Sequence, residues 1–189
     1  MRIFFSLFLM VLGIGFGFLY VLRSGYLPLA IIGSEIISKR EYDQAFALGN
    51  SYLNTLHATY KNTPDLTKEN FEKLQADLPK MTWEKIIQEI IVRDQFATLK
   101  NASNEEKIEI EIDKVQKDPR LLGAVEAMFH LSPSDFREQV VLPLVMQEEV
   151  QKDLVTQGID PEKWLKEKKL ATKVLFLTPG FSWTQGEVH

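Results

Sequence analysis

The chain has 189 residues, 45% of them hydrophobic and 25% charged, a balance that belongs to folded proteins rather than disordered ones. It contains no cysteine, which excludes disulfides, thiolate zinc sites and cysteine nucleophiles together. The formal net charge of −4, with scattered lysines and arginines, argues against nucleic acid as a partner.

Ile3 to Leu22 carries no charged residue, and its only polar groups are Ser6 and Tyr20. As a helix it is long enough for a hydrocarbon core of roughly 30 Å, and it exceeds the roughly 7 to 15 residues of a signal-peptide core. No small-x-small cleavage pattern follows, and Tyr20 and Tyr26 sit where interfacial aromatics belong. Residues 1–25 are therefore expected to be a transmembrane anchor with short flanks, with the lipid bilayer a partner through residues 3–22. Arg2 marks the short end as cytoplasmic, which places residues 26–189 outside a single-pass cell-membrane helix. Gly13 and Gly17, four apart, have the spacing of a helix-pairing face.

In the remaining chain, Leu29–Ile32 and Glu35–Ile37 predict a hairpin turned at Gly33-Ser34. Ser38 and Glu41 fit a capping box, followed by a helix whose stripe holds Tyr42, Phe46, Leu53, Leu56 and Tyr60. Thr67 predicts a short helix ended by Pro79, and Thr82 caps another bearing Trp83, Ile86, Ile87, Ile90 and Ile91, the expected centre of the core. Ser103-Asn104-Glu105-Glu106 caps a further helix in which alternating Ile108, Ile110 and Ile112 also suit a strand. Asp118-Pro119 opens a helix with Leu121, Leu122, Val125, Met128 and Phe129. Ser132-Pro133-Ser134-Asp135 opens a long helix to about Thr156, kinked at Pro143 and stopped by Gly158. Asp160-Pro161 starts a short helix, where Lys163, Lys166, Lys168 and Lys169 alternate with acids as a solvated face. Val174–Leu177 is a strand, and a frayed tail follows Thr178-Pro179-Gly180.

Four stretches carry a resemblance: IIGSEIISKREYDQAF (31–46), WEKIIQEIIVRDQF (83–96), SNEEKIEIEID (103–113) and LSPSDFREQVVLPLVMQEEV (131–150). In this order they resemble the N-terminal chaperone module of the SurA/PpiD/PrsA family. The expected fold class is accordingly mainly α: an N-terminal transmembrane helix, then a SurA-N-like helical domain with a small hairpin or sheet. The resemblance spans roughly residues 29–154. It departs from the family at Ile31-Ile32-Gly33, where relatives usually carry Val-Asn-Gly, and it leaves too few residues for the parvulin isomerase domain. It also implies that Val174–Leu177 returns beside Leu29–Ile32.

His57, His130 and His189 lack metal-ligand spacing, and neither a serine nucleophile elbow nor a phosphate-binding glycine loop is present. No catalytic residue, metal or cofactor is expected. Phe96, Met128, Phe129 and Met146 are the expected peptide-binding residues, because flexible methionine and aromatic side chains suit promiscuous apolar contact; the plainer reading makes them core. The functional expectation is a non-catalytic, membrane-anchored extracytoplasmic chaperone that holds unfolded exported polypeptides. The alternatives are a structural or adaptor subunit of a membrane-associated complex and a degenerate prolyl-isomerase relative.

Overall fold

The computed structural model describes residues 25–60, 67–99 and 131–189, with the single positions 109, 110, 113, 117, 123 and 129. Strands β1 (Pro28–Ile32) and β2 (Glu35–Ser38) form the opening hairpin, with Gly33 at φ 59° in its turn. Ser38 then caps helix α1 (Lys39–Tyr60). The Ser38 amide and hydroxyl donate to Glu41 Oε2 at 2.7 and 2.6 Å, and the Glu41 amide donates back to Ser38 Oγ at 3.3 Å. Two otherwise free helix-end donors are satisfied in this way.

Helix α2 (Lys68–Thr98) begins at Thr67, whose hydroxyl accepts from the Asn70 amide. The expected break at Pro79 does not occur, since one helix runs through it. Pro79 denies a donor to the carbonyl of Gln75, an exposed residue, whereas Leu78, Thr82, Trp83, Ile86 and Ile87 on its two sides are buried together. Burial of that continuous face outweighs one lost hydrogen bond. Thr82 is no cap: its hydroxyl donates to the Leu78 carbonyl at 2.8 Å within the same helix. Gly49 of α1 faces α2 closely enough that a Cβ there would meet Leu78 Cδ1 at 3.0 Å.

Helix α3 (Pro133–Phe136), capped by Ser132, passes into a π-helical turn (Arg137–Val141) and then helix α4 (Leu142–Thr156). In place of the expected kink at Pro143, the chain takes up one extra residue per turn just before the proline. Pro143 thereby falls in the first turn of α4, where a missing N–H does least harm. Gly158, at φ 74°, closes α4: its amide donates to Val155 and the Ile159 amide to Leu154, a Schellman ending. Asp160 caps helix α5 (Pro161–Ala171) through the Glu162 and Lys163 amides.

Strand β3 (Val174–Phe176) pairs antiparallel with β1, Ala30 opposite Phe176 and Ile31 opposite Leu175, giving the sheet order β2-β1-β3. The inner face of this sheet, with Ala30, Ile32 and Ile37, packs on Trp83, Ile87, Ile90 and Ile91 of α2. Trp83 is the centre of an aromatic group, its ring 4.6 Å from Tyr42, 5.0 Å from Phe176 and 6.2 Å from Phe181. The outer face carries Ile31, Ile36 and Leu175 in register, with Leu177 nearby; Ile36 and Leu175 are 64% and 57% exposed.

The expected frayed tail is ordered. Strands β4 (Trp183–Thr184) and β5 (Glu187–Val188) form a tight hairpin through Gln185 and Gly186, both at positive φ as a type I′ turn requires. Val188 is completely buried against the main core, and Trp183 Nε1 donates to the Thr172 carbonyl at 3.0 Å. Glu84 of α2 ties this tail down, accepting from the Val188 amide at 3.3 Å and from Lys169 Nζ at 3.1 Å.

The fold class needs one correction. The described residues are mainly helical with a small sheet, and no helix among them is long and apolar enough to cross a membrane, which corrects the expected fold class of a transmembrane helix followed by a helical domain. Even α2, the longest helix among the described residues, carries charged residues along its whole length, including Glu72, Lys80, Lys85, Glu89 and Arg93. Residues 3–22 lie outside the described residues, as do most residues of the helices expected from Ser103 and Asp118.

Candidate functional site

Three elements that are distant in sequence converge beside the sheet. Helix α1 packs along α2, and α4 packs along the far half of α2, leaving a cleft of about 280 Å3 between them with β2 at one end. Its floor is apolar: Ile37 from β2, Ala45 and Leu48 from α1, Ile86 and Ile90 from α2, and Leu142, Pro143 and Met146 from α4. Apart from Ile37, which strand alternation turns inward, each is placed there by the helical spacing that also builds the core, so the floor is the open margin of the packed faces.

The rim is polar. Lys85 pairs with Glu89 at 2.5 Å along α2, and Arg93 of α2 pairs with Glu35 of β2. These are accessible pairs, worth at most about 1 kcal/mol each. Gln44, Gln88, Gln139 and Gln147 complete the rim, and none of these amides has a side-chain hydrogen bond among the described residues. The π-helical turn supplies one more polar group. The Leu142 amide donates to the Arg137 carbonyl and Pro143 has no N–H, so the carbonyl of Glu138, a cleft-lining residue, receives neither. Insertions of this kind recur at functional positions in helices.

A second hollow of about 440 Å3 adjoins Asp77, Lys80, Met81, Glu84, Lys85, Gln88 and Lys169. With Met81 its single apolar contributor, it offers little to an apolar ligand. Among the described residues no group of acids and histidines is placed to hold a metal ion. His57 stacks on Phe71 at 4.0 Å, a contact between α1 and α2.

The structure divides the expected peptide-binding residues. Met146 lines the cleft, half-buried, and also packs on Val92, Val150 and Leu154. Phe96 and Phe129 are half-buried around Phe136, Val141 and Val145, away from the cleft lining. The Phe129 ring stacks 5.9 Å from Tyr52 and lies 6.0 Å from Phe136. Met128 lies outside the described residues. The glutamines and the π-helical turn were missed from sequence, although Pro143 inside a helical pattern was a usable sign of irregular backbone. No family model matches the chain, and neither does any curated protein sequence or any solved structure.

Proposed function

We propose that the protein is a non-catalytic holder of unfolded polypeptides, taking apolar segments into the cleft between α1, α2 and α4. The observation that carries this reading is an open, apolar-floored cleft whose rim amides have no partner among the described residues. Such a surface contributes affinity through area removed from water, and its amides accept many sequences without demanding one. The resemblance to the SurA/PpiD/PrsA chaperone module points the same way. It is supported by the hairpin leading into a capped helix and by the pairing of β3 with β1.

The test is aggregation of a chemically denatured client, followed by light scattering with and without the purified full chain. Equimolar protein is expected to delay aggregation, and Met146→Arg, which puts a charge on the cleft floor, is expected to abolish the delay while circular dichroism stays unchanged. No delay by the parent protein, or an equal delay by the variant, refutes the reading.

A structural or adaptor subunit with one permanent partner is a second reading, favoured by the row across the sheet of exposed Ile36, half-buried Ile31 and exposed Leu175. Co-purification at fixed stoichiometry, lost in Leu175→Lys, is its signature.

A further inference from the structure

The charges around the cleft do not balance. Both cations at its rim are engaged, Lys85 with Glu89 and Arg93 with Glu35. Two acids remain. Glu41 accepts only from the neutral amide and hydroxyl of Ser38, and Glu138, which is exposed, has neither an ion pair nor a side-chain hydrogen bond among the described residues. The lining therefore keeps an excess of negative charge beside an apolar floor.

The polar groups at the rim suit one backbone conformation. An extended chain presents unpaired N–H and C=O groups along its length, whereas a helical ligand satisfies its own. Gln44, Gln88, Gln139 and Gln147 each offer both a donor and an acceptor, and the Glu138 carbonyl adds an acceptor.

We infer that the segment taken up is an extended one in which apolar side chains are flanked by lysine or arginine, the cation lying against Glu138. This rests on the polypeptide-holding reading and narrows it: apolar side chains enter over Ile86, Leu142 and Met146, rim amides hold the backbone, and the acidic margin selects the flanks. Acidic flanks are repelled by the same margin, so the cleft discriminates by charge among segments of equal hydrophobicity.

Three short labelled peptides with the same apolar centre and with lysine, glutamine or glutamate flanks test this by fluorescence anisotropy on the purified full chain. At low ionic strength the lysine-flanked peptide is expected to bind about three- to fivefold more tightly than the glutamine-flanked one, the scale of an accessible ion pair, and the glutamate-flanked one least. Added salt compresses the series, because exposed charges are screened. Glu138→Lys is expected to bring the lysine- and glutamate-flanked peptides together or reverse their order. Equal affinities for all three, or an order untouched by Glu138→Lys, overturn the inference while leaving the holding function standing. Binding of none of the three overturns both.

Discussion

Trp83 is 1% exposed, and its indole Nε1 has no hydrogen-bond partner among the described residues, although the ring contacts Tyr42, Phe176 and Phe181. Trp83→Phe keeps an aromatic ring in that group while removing the unpaired N–H. The lost carbon atoms cost about 0.8 kcal/mol per methylene equivalent, or about 1.6 kcal/mol for two. Removing a buried, unpaired donor returns about 1 to 3 kcal/mol. The two effects nearly cancel, so Trp83→Phe is expected to lie within about 1 kcal/mol of the parent. Trp83→Ala, which also empties the space between α2, the sheet and the C-terminal hairpin, is expected to cost about 3 to 5 kcal/mol. Urea denaturation followed by far-ultraviolet circular dichroism, with equal slopes for the three proteins, measures both differences. A loss above about 2 kcal/mol in Trp83→Phe would show that the indole contributes packing the phenyl ring cannot replace, and that the unpaired N–H costs little.

Four further outcomes follow from the same structure. Glu84→Ala removes the acceptor shared by the Val188 amide and Lys169, and is expected to cost about 1.5 to 3 kcal/mol; faster proteolysis near residue 180 in the native state checks that the C-terminal hairpin is what loosens. Gly158→Ala places a side chain at φ 74° in the Schellman ending of α4, with an expected loss of about 1 kcal/mol or slightly more in thermal unfolding. Burial, with Asp43 next to it, raises the Tyr42 phenol pKa above its ordinary value near 10. The folded chain therefore holds that proton more tightly than the unfolded chain, and the stability involved is complete below pH 10 and is lost as pH rises through the folded value, so Tyr42→Phe is expected to flatten the fall in melting temperature between pH 9 and the alkaline limit. Gln88→Ala and Gln147→Ala are expected to weaken peptide binding severalfold while thermal stability changes by less than about 0.5 kcal/mol, as read by anisotropy and differential scanning calorimetry.

Local signals were legible wherever a short run of residues decides the outcome alone. The capping box at Ser38 and Glu41, the Thr67 and Asp160 caps, the Gly158 stop and the hairpin at Gly33 each rest on hydrogen bonds or backbone angles within a few residues. The stripe from Trp83 to Ile91 likewise announces a buried helix face, because apolar residues at that spacing must be shielded from water. By contrast, Pro79 and Thr82 suggested a boundary that α2 ignores, since burial on both sides of the proline holds the helix together. Nothing local marks residues 181–189 as core; Val188 is buried because Glu84 and Trp83, about a hundred positions earlier, meet it in space.

The candidate site shows the same division. The sequence by itself determined that Met146 lies on a helix with an apolar face and that Gln139 and Gln147 share that helix, because periodicity and caps act over single turns. Only the tertiary structure decided that Met146 borders an opening while Phe96 and Phe129 pack elsewhere, and that glutamines from α1, α2 and α4 face one cleft. A helix presents every side of itself to the sequence reader alike; which side is left uncovered depends on where the neighbouring helices settle, and that is fixed by packing across the whole domain.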